Sequence, residues 1–371
     1  MEFIIKRDIF LDGIQKTLGI VGKKTTMPIL NNVLIRADQN RIKIIATDRE
    51  IGLVADYEAQ IMKDGEITLS ARKLYEMIRE MQGETIHFQK IEQSVVTLMS
   101  QKVVYKIPGI PADDFPNVAV DEDVKLFKIK GSVLKDLILK TSFSMSTDEI
   151  RKNLNGIFFD VDQSKPGVLK AVATDGHRLA MVSVYSGDKD FLKLEKGIII
   201  PRKGVSEVRK LVESEPGDIW IGVHQGMCVL KTDHTMLKVS LIDAEYPDYR
   251  RVIPLEKGTA VQFEKDTALH ALRRMSVISS ERYSGVIIKL MEGKIILNST
   301  NPDVGEANDE IEVSYRGGEM EVGYNVNYLI DAIEDIDEKN VVFEIGTGMK
   351  PGVIRPADND QFFCIIMPLR I

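Results

Sequence analysis

Asp175, His177 and Arg178 fall within four residues of one another in Ala173-Thr174-Asp175-Gly176-His177-Arg178-Leu179. A carboxylate beside an imidazole is the material of general acid–base chemistry. No Gly-x-Ser-x-Gly or comparable nucleophile context accompanies the pair, and two such residues in one loop are far more often a structural or binding contact. Gly22-Lys23-Lys24-Thr25 approaches a phosphate-binding loop, but Thr17 takes the first glycine position and Lys24 the Ser/Thr position. Asp160-Val161-Asp162-Gln163-Ser164 begins like a calcium loop, yet Lys165 replaces the turn glycine and Ala171 the closing glutamate. His87, His224, His234 and His270 lack ligand spacing. Cys228 and Cys364 are too few and too far apart for a disulfide framework or a cysteine metal site, and are most simply buried thiols. No cofactor or metal is therefore expected.

The central stretch has an echo on each side. Ile44-Ile45-Ala46-Thr47-Asp48-Arg49-Glu50 repeats its apolar-apolar-Ala-Thr-Asp pattern, and Ile296-Leu297-Asn298-Ser299-Thr300-Asn301-Pro302 repeats it more loosely. The threonines at 47, 174 and 300 are 127 and 126 residues apart, which predicts three copies of one domain. A chain of 371 residues holds three such domains, each able to bury its own core. With 44% hydrophobic and 28% charged residues, the composition carries neither a disorder nor a membrane signature. The start, Met1-Glu2-Phe3-Ile4-Ile5-Lys6-Arg7-Asp8, has charge where a signal peptide is apolar, so a cytoplasmic protein with no membrane partner is expected. A net charge of −7 disfavours wrapping nucleic acid with the whole surface, but not a basic stripe on an acidic body.

Each repeat reads as two amphipathic helices and roughly eight short strands. In the first, apolar spacing predicts a helix over 8–21 with Asp8 as N-cap and a second over 71–81. In the second, helices are expected from Gly131 through Phe143 and over 202–212. The third places them over 266–278 and 326–336. Phe115-Pro116 and Tyr246-Pro247 close the first two repeats at matching places. Runs of strands between helices favour an α+β class, with helices covering one face of antiparallel sheet. The domains expected are 1–118, 124–252 and 260–371.

Together with the triple repeat, Arg151-Lys152-Asn153-Leu154-Asn155-Gly156, the stretch from Ala173 to Leu179, Tyr246-Pro247-Asp248-Tyr249-Arg250-Arg251-Val252 and Met367-Pro368-Leu369-Arg370-Ile371 resemble the bacterial DNA polymerase III beta subunit family, the replicative sliding clamps. The resemblance spans the chain. It implies three clamp domains forming half of a ring, and a head-to-tail homodimer that encircles duplex DNA without sequence preference as a processivity factor, with no chemistry of its own. Twelve helices about 10 Å across would leave a hole of about 28 Å, wide enough for a duplex, whereas six would leave about 9 Å.

By resemblance, Leu154, Thr174, Gly176, His177, Arg178, Leu179, Pro247, Arg251, Val252, Ile365, Met367, Pro368, Leu369 and Arg370 line a groove for short peptide motifs. Its users would be replicative and repair polymerases, the clamp loader, and mismatch-repair and other clamp-binding proteins. Arg178, Arg251 and Arg370 would hydrogen-bond the peptide over an apolar floor. Taken singly, Leu154, Val252 and Met367 are more often ordinary core. Lys24, Arg72, Lys73, Arg79, Arg202, Lys203, Arg209, Lys210, Arg273 and Arg274 are expected to face DNA, although charges on an amphipathic helix also simply face water. The helix over 326–338 carries Asp331, Glu334, Asp335, Asp337 and Glu338 and no Lys or Arg, so the lining is not expected to be uniformly positive. Tyr105 and Ile107 would meet Val277 and Ile278 at the dimer seam. There Arg72 and Lys73 would pair with Glu306, Asp309 and Glu310.

Overall fold

The computed structural model describes residues 1–22, 27–92, 94–118, 123–161, 165–185, 196–256, 258–280, 284–346 and 348–370. Among these are six α-helices: α1 (Arg7–Thr17), α2 (Ala71–Glu80), α3 (Gly131–Ser142), α4 (Arg202–Ser214), α5 (Lys265–Ser276) and α6 (Val326–Glu334). Every one was expected from apolar periodicity, but the ends differ. α1 begins at Arg7, directly after the strand Glu2–Lys6, so Asp8 lies inside the first turn and Lys6 is the N-cap, with no side-chain bond. Asp8 complements the positive end of the helix rather than capping it. α1 stops at Thr17, whose hydroxyl donates to the Ile14 carbonyl at 2.6 Å while its own carbonyl takes the Ile20 and Val21 N–H groups in a turn. α6 starts with a side-chain cap: Asn325 accepts from the Asn327 N–H at 3.0 Å.

The strands pair antiparallel throughout and form sheets of five, eight, eight and four strands. The chain divides into two compact units, residues 1–134 with 203–241 and residues 135–202 with 242–371. These units cut across the sequence repeats. In the first unit, Ile51–Glu58 of the first repeat pairs with Thr235–Ser240 of the second, so one eight-stranded sheet draws four strands from each. In the second unit, Arg178–Tyr185 pairs with Phe362–Ile366, and the other large sheet is shared the same way between the second and third repeats.

The cores follow the alternation of the strands. In the first unit Phe3 stacks on Phe88 at 4.6 Å, and Phe10 from α1 meets both rings edge-on. All three are fully buried, each worth about 1.5–3 kcal/mol. Directly after α4, Glu215 takes the Lys16 ammonium at 2.6 Å and the hydroxyls of Thr232 and Thr235, which ties α1 to the second repeat's hairpin. Cys228 and Cys364 are buried. Among the described residues no helix is long and apolar enough to cross a membrane.

Candidate peptide groove, basic faces and sheet edges

The Thr-Asp stretch is a hairpin turn, built the same way twice. Thr174 Oγ1 donates to the Arg178 carbonyl at 2.6 Å and accepts from the Gly176 N–H at 3.1 Å. Asp175 Oδ1 accepts the N–H groups of His177 and Arg178 at 2.9 and 3.0 Å. In the first repeat Thr47 bonds the Ile51 carbonyl and the Arg49 N–H, and Asp48 takes the N–H groups of Glu50 and Ile51. Both turns need a positive φ at the third residue, +92° at Gly176 and +82° at Arg49. Asp175 Oδ1 is taken by two backbone N–H groups and Oδ2 by the Arg178 guanidinium, so the Asp175–His177 pair is accounted for by turn geometry. Among the described residues no three His, Cys, Asp or Glu side chains gather to hold a metal.

Around this turn the second unit assembles an apolar surface. Leu154, Leu179 and Ile365 lie in one buried cluster with Val172, Ile199, Tyr246 and Tyr249. Tyr246 stacks on Phe158 at 4.5 Å and nearly parallel, which fixes the segment carrying Pro247, and burial pushes its hydroxyl pKa up. Tyr249 donates to Asp160 at 3.0 Å, anchoring the 3-10 turn Tyr249–Val252 that presents Arg251 and Val252. The Met367 N–H donates to the His177 carbonyl at 2.9 Å and that of Leu369 to the Gly323 carbonyl at 2.8 Å. Val252, Met367 and Leu369 remain 40–48% exposed. Pro368 is buried, while Gly176, His177, Pro247, Arg251 and Arg370 are exposed. An apolar floor with flexible Met and Leu at its margin suits the side chains of a short peptide.

Arg178 is held by contacts within its own chain. Its guanidinium donates to Asp175 at 3.1 Å, Asp331 of α6 at 2.5 Å and the Phe143 carbonyl at 2.6 Å, and it lies 4.2 Å from the centre of the Tyr328 ring. With 12% of its side chain exposed, it braces the turn against α6. Phe143, Tyr328 and Asp331 are the residues that sequence reasoning missed here, since nothing local links them to position 178. Arg251 points outward, 84% exposed, and pairs with Asp248.

Most of the expected DNA-facing residues are already paired within the chain. Lys73 meets Glu76, Arg79 meets Glu80, Arg209 meets Glu213, Lys210 meets Glu207 and Lys203 meets Asp48. Arg202 donates to the Met145 carbonyl at 2.7 Å, and Arg72 is exposed. Lys24 lies outside the described residues. The acidic helix is partly neutralised: Asp331 pairs with Arg178, Glu334 with Arg273, and Asp337, beyond the helix end, with Lys140. Arg274 pairs with Asp309, and so lies against the strand Gly305–Glu312.

That strand is outermost in the four-stranded sheet, as Val103–Pro108 is in the five-stranded one. Glu306 is exposed there, while Glu310 pairs with Lys294, so Asp309 and Glu310 both have partners in their own chain. Val277 is 79% exposed and Ile278 and Tyr105 are partly so. Ile107 is 5% exposed within its own chain, and Val103 and Val104 are the exposed apolar residues of that strand. Alternation puts Val104 on the opposite face of the strand from Ile107, while Val103 shares the face of Ile107 at the exposed start of the strand.

Three family models match in order: the N-terminal domain of the DNA polymerase III beta subunit over residues 1–119, its central domain over 128–248 and its C-terminal domain over 250–370. A beta sliding clamp from Pseudomonas aeruginosa is 31% identical and one from Escherichia coli strain K12 is 29% identical, each aligned over the whole of both chains. Crystal structures agree, each chain being covered in full. The DNA polymerase III subunit beta of Pseudomonas aeruginosa superposes with a TM-score of 0.92 at 31% identity. A sliding clamp from Bartonella birtlesii, crystallised bound to griselimycin, gives 0.95 at 30%. With all three domains matched along a chain of this α+β architecture, the chain belongs to the DNA polymerase III beta subunit family.

Proposed function

We propose that two copies of this chain close head to tail into a ring that encircles duplex DNA and slides along it, holding the replicative polymerase to its template. As a member of its family the chain is a processivity clamp that partners DNA and polymerase and is not an enzyme. The observation that carries the proposal is the ordered match of all three clamp domains over residues 1–119, 128–248 and 250–370. The domains taken from the sequence, 1–118, 124–252 and 260–371, would be the repeating parts of the ring.

Two unpaired edges support closure. Among the described residues Val103–Pro108 and Gly305–Glu312 each have a strand on one side only, and pairing one edge with the other across two copies would consume both. Exposed Val103, Val104 and Val277 would add the apolar contact. Inside the ring, surface ion pairs such as Arg79–Glu80 contribute little to stability, so these cations remain available to phosphates. The groove around Leu154, Leu179, Ile365, Val252, Met367 and Leu369 would take apolar side chains of polymerase, clamp-loader and repair-protein segments, with Arg251 and Arg370 at its edge. Cytoplasmic location follows from a role in replication.

Light scattering on a sizing column tests the ring, with a mass of twice the chain expected. Val104→Asp should give the monomer mass with an unchanged circular-dichroism spectrum. A monomeric parent protein at micromolar concentration refutes closure by two copies.

A further inference from the structure

The two eight-stranded sheets match strand for strand. In the first unit, Thr235–Ser240 pairs with Ile51–Glu58, placing Val239 opposite Ile51 and Lys238 opposite Gly52. In the second, Phe362–Ile366 pairs with Arg178–Tyr185, placing Ile366 opposite Arg178 and Ile365 opposite Leu179. The two registers coincide under one shift of 127 residues on both strands. The second repeat's groove turn therefore has a counterpart at Thr47, Arg49 and Glu50. Pro116 stands for Pro247 and Ser240 for Met367. Even the apolar floor is preserved, with Leu34, Ile45 and Val118 clustered as the partly buried Phe158 is with Val172 and Tyr249.

At this counterpart the first unit has a cavity of about 310 Å³, lined by Thr47, Arg49, Glu50, Pro116, Lys238 and Ser240 among others. That is the lower end of the range for ligand sites, enough for a few residues of an extended segment. Its chemistry is reversed. Leu179 becomes Gly52, whose missing side chain is replaced by Val118, since a Cβ there would fall 2.3 Å from Val118 Cγ1. Ile365 becomes Lys238, and Met367 becomes Ser240. Gly176 becomes Arg49, which keeps a side chain at φ +82° where glycine would relax the backbone. Among the described residues no carboxylate pairs with the Arg49 guanidinium.

We propose that this cavity is a second docking site, taking an extended peptide segment whose Asp or Glu carboxylate is held at Arg49 beside Lys238. Glu50 in the wall favours one carboxylate over a polyanion such as duplex DNA, because two phosphates cannot avoid it in so small a space. The site is distinct from the apolar groove, so one chain would hold two segments of different chemistry.

Methionine methyls report the two sites separately, Met227 lining this cavity and Met367 the groove. The intact protein, labelled at methionine methyls and assigned through Met227→Leu and Met367→Leu, is titrated with acetyl-Ala-Asp-Leu-Ala-amide. A saturable shift of the Met227 signal is expected, weakened about tenfold when the peptide carries Asn for Asp and about tenfold in Arg49→Gly, a change the local φ tolerates. A Met227 signal that never moves, that responds alike to the Asn peptide or in Arg49→Gly, or that responds to a 20-base-pair duplex instead overturns the proposal. Failure of the groove reading would show at Met367 alone.

Discussion

Replacing Arg178 by alanine separates a bracing role from a peptide-contact role. The guanidinium makes three hydrogen bonds, two of them to carboxylates, and stacks on Tyr328 at 4.2 Å. Truncation leaves Asp175, 16% exposed, without its cation, and Asp331, 36% exposed, partly solvated. Breaking a buried pair costs about 3–5 kcal/mol, and the exposure of Asp331 discounts this to about 3 kcal/mol. Differential scanning calorimetry should show the transition of the second unit falling by roughly 6–12 °C, with the first unit's little changed. Arg178→Lys should recover less than half, because an ammonium cannot reproduce the three-way fork. A variant that melts with the parent but no longer binds a polymerase-tail peptide refutes the bracing role and restores Arg178 as a direct contact.

Glu215 sets an acid limit on the first unit. Burial works to raise its pKa, but hydrogen bonds from Lys16, Thr232 and Thr235 outweigh it and hold the carboxyl below the usual range. Because the folded value is depressed, the stabilisation is complete above the unfolded value of about 4.3 and drains as pH falls through the folded one. Glu215→Gln should cost about 3 kcal/mol at pH 7 in urea titrations, with the gap from the parent narrowing below about pH 4; a gap constant with pH contradicts this. The two hairpin turns should respond with opposite signs. Gly176→Ala should destabilise by about 1–2 kcal/mol because of its positive φ, while Arg49→Gly should be neutral or slightly stabilising, and equal losses in chemical denaturation would refute the shared geometry. Burial pushes the Cys228 thiol up to about 12, so Ellman's reagent at pH 8 should react with it only after unfolding. Prompt labelling of the native protein would show the thiol to be accessible.

What the sequence made legible is what is encoded locally. Six amphipathic stretches became six helices, and the threonines at 47, 174 and 300 marked the repeat because each sits in a turn or sheet of similar design. The sheet that runs from Ile51–Glu58 into Thr235–Ser240 was not legible, since strand alternation says which face is buried but not which distant strand is the neighbour. The same limit hid Asp331 from Arg178, 153 residues away. Asp8 misled because it is a good cap in general, whereas here the strand before it runs directly into the helix. The groove rested on family resemblance. Periodicity marks Leu154, Leu179 and Ile365 only as apolar, and their joining in one cluster depends on the sheet shared by two repeats.

Topological retention on DNA tests the central claim most directly. The labelled protein is loaded on a nicked circular plasmid with a purified bacterial clamp loader, separated from free protein by gel filtration in 0.5 M salt, and the plasmid is then cut once with a restriction enzyme. Co-elution with the circle and release after the cut are the result expected of a closed ring. Retention on the linear molecule, or loss from the intact circle at this salt, would show a protein that grips DNA by contact and does not enclose it.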